Sequence, residues 1–371
     1  MKIQELNTYI IKVPLKKSFK ISNYTFKEAS AVIVEAITDT GIYGYGESVS
    51  RISPETVKSI IDNIFKPLLI DQDPLRIDYH WNNMFNTMRN RGHDRGFFIE
   101  AISGVDIALW DLFGKNLNLP IYKLLGGQSR TDIRVYASSI FWDSPIEMAK
   151  EAKIIVDEGF NFIKVKVGQG VNKDYECLRE IRSAIDSSIS ISIDANCAYD
   201  TIQALKLVKL IEDLDICWFE EPLKPDNIEG YKFLSSHINS QYLAAGESEF
   251  TIYGIKRLLE NGLNIIQPDI VRAGGITNFL KIAHLSEAFH AYIAPHTGMS
   301  SVICMAAALQ VSAAVSNFLI YEHMVTENPL TNLPELDFPK PMNGYIKIST
   351  EKPGLGINFE RGIFKDYIVD Q

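Results

Sequence analysis

The chain has 371 residues, 46% hydrophobic and 22% charged, which suits a soluble globular protein of two domains. Its formal net charge of -9 argues against a nucleic-acid or anionic-membrane surface, although lysines and a metal can still hold an anion locally. The opening MKIQELNTYIIKVPLKKSF lacks the apolar core and cleavage site of a signal peptide, and runs such as Ile303 to Ala308 are too short to span a membrane.

In chain order, Ile3 to Val13 and Ala31 to Ala36 read as strands. Thr38-Asp39-Thr40-Gly41 forms a turn into Ile42 to Gly46, a meander that suggests antiparallel pairing. Pro54 to Lys66 reads as a helix with Ser53 as N-cap and Pro67 ending it, and Ile99 to Asn116 as a second helix with Ile102, Val105, Leu109 and Leu112 in helical phase. After Leu124-Leu125-Gly126-Gly127 the texture changes to alternating strand and helix. Strands are expected at Ile133 to Ser138, Phe162 to Val167, Ile189 to Ile193, Cys217 to Phe219, Tyr242 to Ala245, Ile265 to Pro268, Tyr292 to Ala294 and Phe318 to Tyr321. Pro145 to Gly159 is an expected helix, and so is Thr201 to Leu214, with Leu205, Val208 and Ile211 along one face. Eight strands with crossover helices fit an α/β fold of the (β/α)8 barrel type, and no GxGxxG follows the first strand as an open doubly wound sheet would show. The expected division is an α+β capping domain over 1–125, a barrel over 126–338, and a segment over 339–371 that returns to the capping domain. Cys177, Cys197, Cys217 and Cys304 lack CxxC spacing and read as buried free thiols of a cytoplasmic protein.

Polar residues at the ends of the apolar runs carry the chemistry. Lys164/Lys166, Asp194, Glu220, Glu247, Asp269, His296 and Glu322 are separated by 30, 26, 27, 22, 27 and 26 residues counted from Lys164, about one strand-plus-helix unit each. Each should emerge at the C-terminal mouth of the barrel, where active sites of this fold lie. One such acid alone would read as a cap or salt bridge. Asp194, Glu220 and Glu247 on successive strands would repel one another without a cation between them, and oxygen-only ligation selects Mg²⁺, with Mn²⁺ as the alternative. Asn196 and Glu221 are candidates to orient those ligands. Lys164 and Lys166, two apart on one strand, share a face with Phe162. Their mutual repulsion and a nearby metal should lower the pKa of one of them. Asp269 and His296 end consecutive strands, close enough for a carboxylate–imidazole hydrogen bond, whereas the other six histidines read as ordinary polar residues. Glu322 is expected either as a protonated donor beside an anionic site or as a salt-bridge partner.

The ordered set KVK, DAN, EEP, GES, QPD...GG, APH and YEH resembles the enolase superfamily, mandelate racemase subgroup. VEAITDTGIYGYGES and AISGVDIALWDLFGK...LLGG resemble its capping domain. The resemblance implies Asp194, Glu220 and Glu247 as Mg²⁺ ligands and Lys166 as base on one substrate face. Lys164 would help neutralise the carboxylate, His296 paired with Asp269 would act on the opposite face, and Glu322 would donate to the carboxylate. Muconate-lactonizing and dipeptide-epimerase relatives resemble the chain less, because IVRAGG offers only Arg272 where they place a lysine. Dehydratases with a histidine two residues after the first ligand also fit less well, since Asn196 stands there. The expected chemistry is removal of the proton α to a carboxylate of a small-molecule substrate. Dehydration of a sugar acid to a 2-keto-3-deoxy acid is favoured, with racemisation or epimerisation of an α-hydroxy acid as the alternative and a non-catalytic barrel protein as the third reading. Loops at Lys16 to Phe26 and Ser48 to Ser53, with Lys20, Asn23, Tyr24 and Arg51, are expected to close over the mouth and contact substrate. Phe141 and Trp142 should narrow it. The resemblance also implies a homo-oligomer.

Overall fold

The computed structural model describes residues 1–369 apart from 22–23, 50, 128, 332–335, 337 and 350, with backbone alone at 17, 19–21 and 24. Strands β1 (Ile3–Ile21), β2 (Tyr24–Thr38) and β3 (Tyr43–Val49) form an antiparallel meander in that order. The first two run further than expected. Phe19 pairs with Phe26 and Lys20 with Thr25 beyond an irregularity after Pro14, so the stretch expected as a mobile loop is a hairpin arm. Its aromatic and β-branched residues suit a ladder that satisfies the backbone, which a loop would not.

The sheet packs on the helix Phe97–Leu117. A Cβ at Gly44 would lie 2.4 Å from Ala108 O, and one at Gly46 would lie 1.8 Å from Gly104 O, so only glycine permits this approach. The alternation of a strand then sends Tyr45, Glu47 and Val49 to the other face. The helix expected over Pro54 to Lys66 is Pro54–Ile60, followed by a π turn at Ile61–Phe65 and the short helix Lys66–Leu69. Pro67 therefore does not end it. The wider turn, with Lys66 N–H bonding to Ile61 O, accommodates a ring that would clash in a regular α-helix. Ser53 makes no side-chain capping bond, its hydroxyl lying 2.7 Å from Thr56 Oγ1 instead. A helix at Ile77–Arg89 was not foreseen.

The second half builds β4 (Asp132–Ile140), β5 (Phe162–Lys166), β6 (Ser190–Asp194), β7 (Ile216–Glu220), β8 (Tyr242–Ala245), β9 (Ile265–Ile266), β10 (Tyr292–Ile293) and β11 (Tyr321–Met324). They pair in parallel in the order β10-β9-β8-β7-β6-β5-β4-β11. Leu319 N–H bonds Ile293 O at 2.8 Å, and Ile293 N–H bonds Asn317 O at 2.9 Å, which closes the ring. The eighth strand thus begins three residues later than expected, because Phe318 and Leu319 serve the closure to β10. The floor of the barrel interior is a cluster of Tyr136, Phe162, Trp218, Ala244, Ile265, Ala294 and Ile320. Ile163, Val165 and Val167 belong to the outer core under the helices. The helix expected over Thr201 to Leu214 spans Thr201–Leu210 and buries Ala204, Leu207 and Val208, leaving Leu205 half-buried.

The last segment serves both halves. β12 (Tyr345–Lys347) pairs antiparallel with β4, while Val369 N–H bonds Ile10 O at 2.9 Å and Arg361 reaches Glu35. Cys177 and Cys304 are buried free thiols, but Cys197 and Cys217 are only half-buried. Among the described residues no helix is long and apolar enough to cross a membrane.

Candidate active site

Strand β5 delivers both lysines inward because Phe162, Lys164 and Lys166 alternate with the outer-core residues. Lys164 is 1% exposed and donates to Glu220 Oε1 at 2.6 Å and to Glu322 Oε1 at 2.9 Å. Burial alone would lower its pKa, but Glu220, Glu322 and the neighbouring Tyr136 and Asp194 more than offset this and hold it well above the ordinary value. The lowering expected of one lysine is therefore not found at Lys164. Lys166 donates to Asn196 Oδ1 at 2.9 Å and makes a short bond to Asp194.

Asp194 and Glu220 are 0% exposed and Glu247 8%. Lys166, Asp194 and Glu220 stand in register on β5, β6 and β7, and Glu247 follows β8. Each acid is turned to a cation rather than to one common point: Asp194 to Lys166, Glu220 to Lys164, Glu247 to His296 Nε2 at 3.1 Å. Among the described residues they do not form a ready-made metal cluster. Their chemistry nonetheless suits a hard divalent ion, since all are oxygen donors crowded in low dielectric. Burial, opposed by Lys164 and reinforced by Asp194, Glu322 and Glu247, pushes Glu220 up to about 7. Asp194 is driven up by burial but held below the usual carboxylate range by Lys166 and Lys164. Asn196 donates its backbone N–H to Asp194 Oδ1 at 2.8 Å, which holds that carboxylate in place. Glu221 instead faces Cys197 Sγ at 3.6 Å, and burial followed by repulsion from Glu247 lifts it to about 8. Asn196, Cys197 and Glu221 have φ of 42°, 63° and 36°, backbone strain gathered where the strands end.

The structure joins Asp269 and His296 through a parallel bridge and a 2.9 Å contact from Asp269 Oδ2 to Nδ1. This fixes the proton on Nδ1 and leaves Nε2 facing the cavity. Burial lowers the imidazole, but Glu247, Glu322 and Asp269 outweigh it and raise its pKa to about 9. Glu322 differs from its expectation as a protonated donor. It accepts from Lys164, from Ser138 Oγ at 2.7 Å and from Thr297 N–H at 2.7 Å. Burial opposes ionisation, yet Lys164, His296 and these donors hold the carboxyl well below the carboxylate range. It is an ionised salt-bridge partner.

A cavity of about 40 Å³ lies between these groups, lined by Lys166, Asn196, Glu247, His296 and Glu322 together with Ser138, Ser139, Phe26, Arg51 and Phe141. Ser138 and Ser139 lie near the C-terminal end of the first barrel strand, and the rule that located the other residues would have found them there. Gln267 Nε2 and Trp218 Nε1 both donate to Glu220 Oε2, at 2.6 and 3.2 Å, and were also missed, because buried amides and indoles read as packing. Arg51 reaches Gly298 O at 3.3 Å and lies over the Phe26 ring. Trp142 does not line the cavity, since its indole donates to Val167 O at 3.2 Å. Asn23 and the side chains of Lys20 and Tyr24 lie outside the described residues.

Residues 5–126 match the mandelate racemase / muconate lactonizing enzyme N-terminal domain, and residues 147–363 match the enolase C-terminal domain-like family. The chain is 32% identical to arabinonate dehydratase of Saccharolobus solfataricus, covering 91% of this chain and 90% of that protein. It is also 32% identical to D-galactarolactone cycloisomerase of Agrobacterium fabrum, covering 99% of each. Among solved structures, 3,6-anhydro-D-galactonate cycloisomerase of Zobellia galactanivorans superposes over 100% of both chains with a TM-score of 0.90 and 32% identity. Two domain matches, these relatives and the ordered lysine, acid and histidine strand ends agree: the chain belongs to the enolase superfamily, in its mandelate racemase subgroup.

Proposed function

We propose that the protein removes the proton α to the carboxylate of a sugar acid and eliminates the β-hydroxyl, giving a 2-keto-3-deoxy acid. The observation that carries this reading is that Lys166, on β5, and His296, just after β10, line one cavity from positions three strands apart around the closed ring. Relatives named D-galactonate dehydratase and D-xylonate dehydratase, at 32% and 31% identity, support the sugar-acid class, as does arabinonate dehydratase.

Membership of the family implies a divalent metal, and Mg²⁺ is the ion we assign to Asp194, Glu220 and Glu247. When bound, it supplies electrophilic stabilisation of the charge that develops on the substrate carboxylate. The chain's own residues do the rest. Lys166 Nζ, as the amine, takes the α-proton, and the C–H electron pair moves into the carboxylate to give an enediolate. Lys164, held charged and buried, places positive charge beside that carboxylate. The enediolate electrons re-form the carboxylate and a Cα–Cβ double bond as the β-C–O bond breaks. His296 Nε2–H gives its proton to the departing oxygen, water leaves, and the enol tautomerises to the ketone. Glu322 and Ser138 fix Lys164, and Asp269 fixes the imidazole. Arg51 and Phe141 are the described candidates for contact with the distal end of the substrate.

The cycloisomerase relatives favour a second reading in which the leaving oxygen belongs to a ring, so elimination opens the ring and releases no water. Racemisation requires His296 to return a proton to Cα instead. Incubation with D-galactonate, D-xylonate, arabinonate and D-galactarolactone in D2O with Mg²⁺ separates the three. Dehydration gives keto acid plus water, ring opening gives a keto acid that keeps every oxygen of the lactone and gains one carbon-bound deuterium on tautomerisation, and inversion with α-deuterium and no keto acid would overturn the elimination. We place the domain boundary at about residue 125, and the segment after 338 reaches both halves, pairing with β4 through β12 and with Ile10 through Val369. The homo-oligomer expected of the family is checked by light scattering.

A further inference from the structure

The capping-domain motif GYGES leaves one residue that the chemistry above does not use. Glu47 is 0% exposed, although it lies on a strand of the capping domain. Gly44 and Gly46 seat β3 against the helix Phe97–Leu117, and Glu47 therefore projects the other way, into the barrel. There it accepts three hydrogen bonds: Ser301 N–H at 2.9 Å, Ser301 Oγ–H at 2.6 Å and Cys304 N–H at 3.0 Å. These donors open the barrel helix Val302–Ala314, so a carboxylate from one domain caps a helix of the other.

Ser301 ends the short loop that begins at His296. Near its start Thr297 N–H is tied to Glu322, and Gly298 packs so tightly on the imidazole that a Cβ there would stand 2.8 Å from Nε2. Met299 holds a φ of 61°. The far end of the loop is gripped by Glu47. The loop after Lys166 is held differently, from within the barrel, by Asp174 accepting from Gly168, Gln169 and Gly170 N–H at 3.0, 3.2 and 3.0 Å. The loops that follow the two proton-transfer groups are thus anchored separately, and of the two, among the described residues, that of His296 is the one gripped by the capping domain.

We infer that Glu47 is a positioning residue for His296, so that its loss impairs proton delivery to the leaving group while sparing α-proton removal by Lys166. This rests on the elimination proposed above. Glu47→Gln keeps one acceptor but sets an NH2 against donors, and Cys304 N–H cannot change its role. In this variant the amides of 297–304 should exchange about tenfold faster while those of 168–174 stay unchanged. With D-galactonate, D-xylonate and arabinonate in D2O, the ratio of α-deuterium incorporation to keto-acid formation should rise by about tenfold over wild type. Should Glu47→Gln fail to fold, Ser301→Ala removes one donor and should move both readouts the same way by less. An unchanged ratio, or exchange and product falling in parallel, overturns the inference. If the wild type turns over none of these acids, the proposed function fails instead. Amide exchange then decides alone, and equal rates in 297–304 overturn the role of Glu47.

Discussion

A methyl group added at Gly298 would meet His296 Nε2 at 2.8 Å and Cε1 at 3.1 Å, and the ring has nowhere to retreat while Nδ1 is held by Asp269. Gly298→Ala should therefore displace the imidazole and lower kcat on the order of 100-fold, as misplacements of about an ångström do. Steady-state kinetics beside a thermal melt checks this: a wild-type kcat would show that the ring position tolerates the shift. Lys166→Ala removes the base outright and should cost about 10²–10⁴-fold in turnover. α-Deuterium incorporation should vanish with it, while Lys164 at 3.7 Å remains to partner Asp194. Persistent α-exchange in that variant would sink the assignment of Lys166.

At the level of elements, the helix Phe97–Leu117 joins the two domains through opposite faces. Gly104 and Ala108 receive β3, while Asp106 accepts from Thr277 N–H at 2.9 Å on the barrel side. Asp106 is 1% exposed, its Oδ1 has no partner among the described residues, and burial, opposed by the Thr277 donors, pushes its pKa up to about 7. An acid raised on folding contributes stability that is complete below its unfolded pKa and is lost as pH rises through the folded value. Asp106 should thus cost the wild type up to about 1.4 kcal/mol per pH unit between its ordinary 3.8 and about 7, with no further loss above. Asp106→Asn lacks this slope, so its melting temperature relative to wild type should climb across that window and then level. A constant difference would show that Asp106 is ionised throughout.

The same elements show what the sequence makes legible. Asp194 and Glu220 close apolar runs, and an apolar run ended by an acid has few other uses in a parallel strand, so the ring of strand ends was readable. Even two-residue strands such as β9 and β10 were placed, because Gln267-Pro268-Asp269 and Pro295-His296 mark their ends. The hairpin arm was not readable, since KKSFKISNYTF offers equal signals for loop and strand and only pairing decides. Helix Ile77–Arg89 was readable and overlooked: Ile77, His80, Trp81, Met84 and Phe85 fall on one buried face. The choice between a protonated and a salt-bridged Glu322 was out of reach, because Lys164, Ser138 and Thr297 converge on it from three separate parts of the chain.

The whole molecule is tied across its domains near the reaction centre, by Glu47 to Ser301, by Trp81 Nε1–H to Gly274 O at 2.8 Å, and by Arg272 to Glu100 at 3.1 Å. Barrel and cap should consequently unfold in one transition, and a ligand of the barrel mouth should move that transition as a whole. The lysines now neutralise the same acids that a divalent ion would take, so ion and lysines compete for Asp194 and Glu220. An ion at 100 times its dissociation constant stabilises the native state by about 2.7 kcal/mol, enough to raise the melting temperature by a few degrees. Adding Mg²⁺ after chelation should produce that shift. Glu247→Gln should shrink it, because one charged oxygen donor is lost. Lys166→Ala should enlarge it at limiting Mg²⁺, because a competing cation is removed from Asp194. Two melting steps of which only one responds would break the inter-domain argument, and no response at millimolar Mg²⁺ would break the metal assignment while leaving the lysine–acid network as the resting structure of the site.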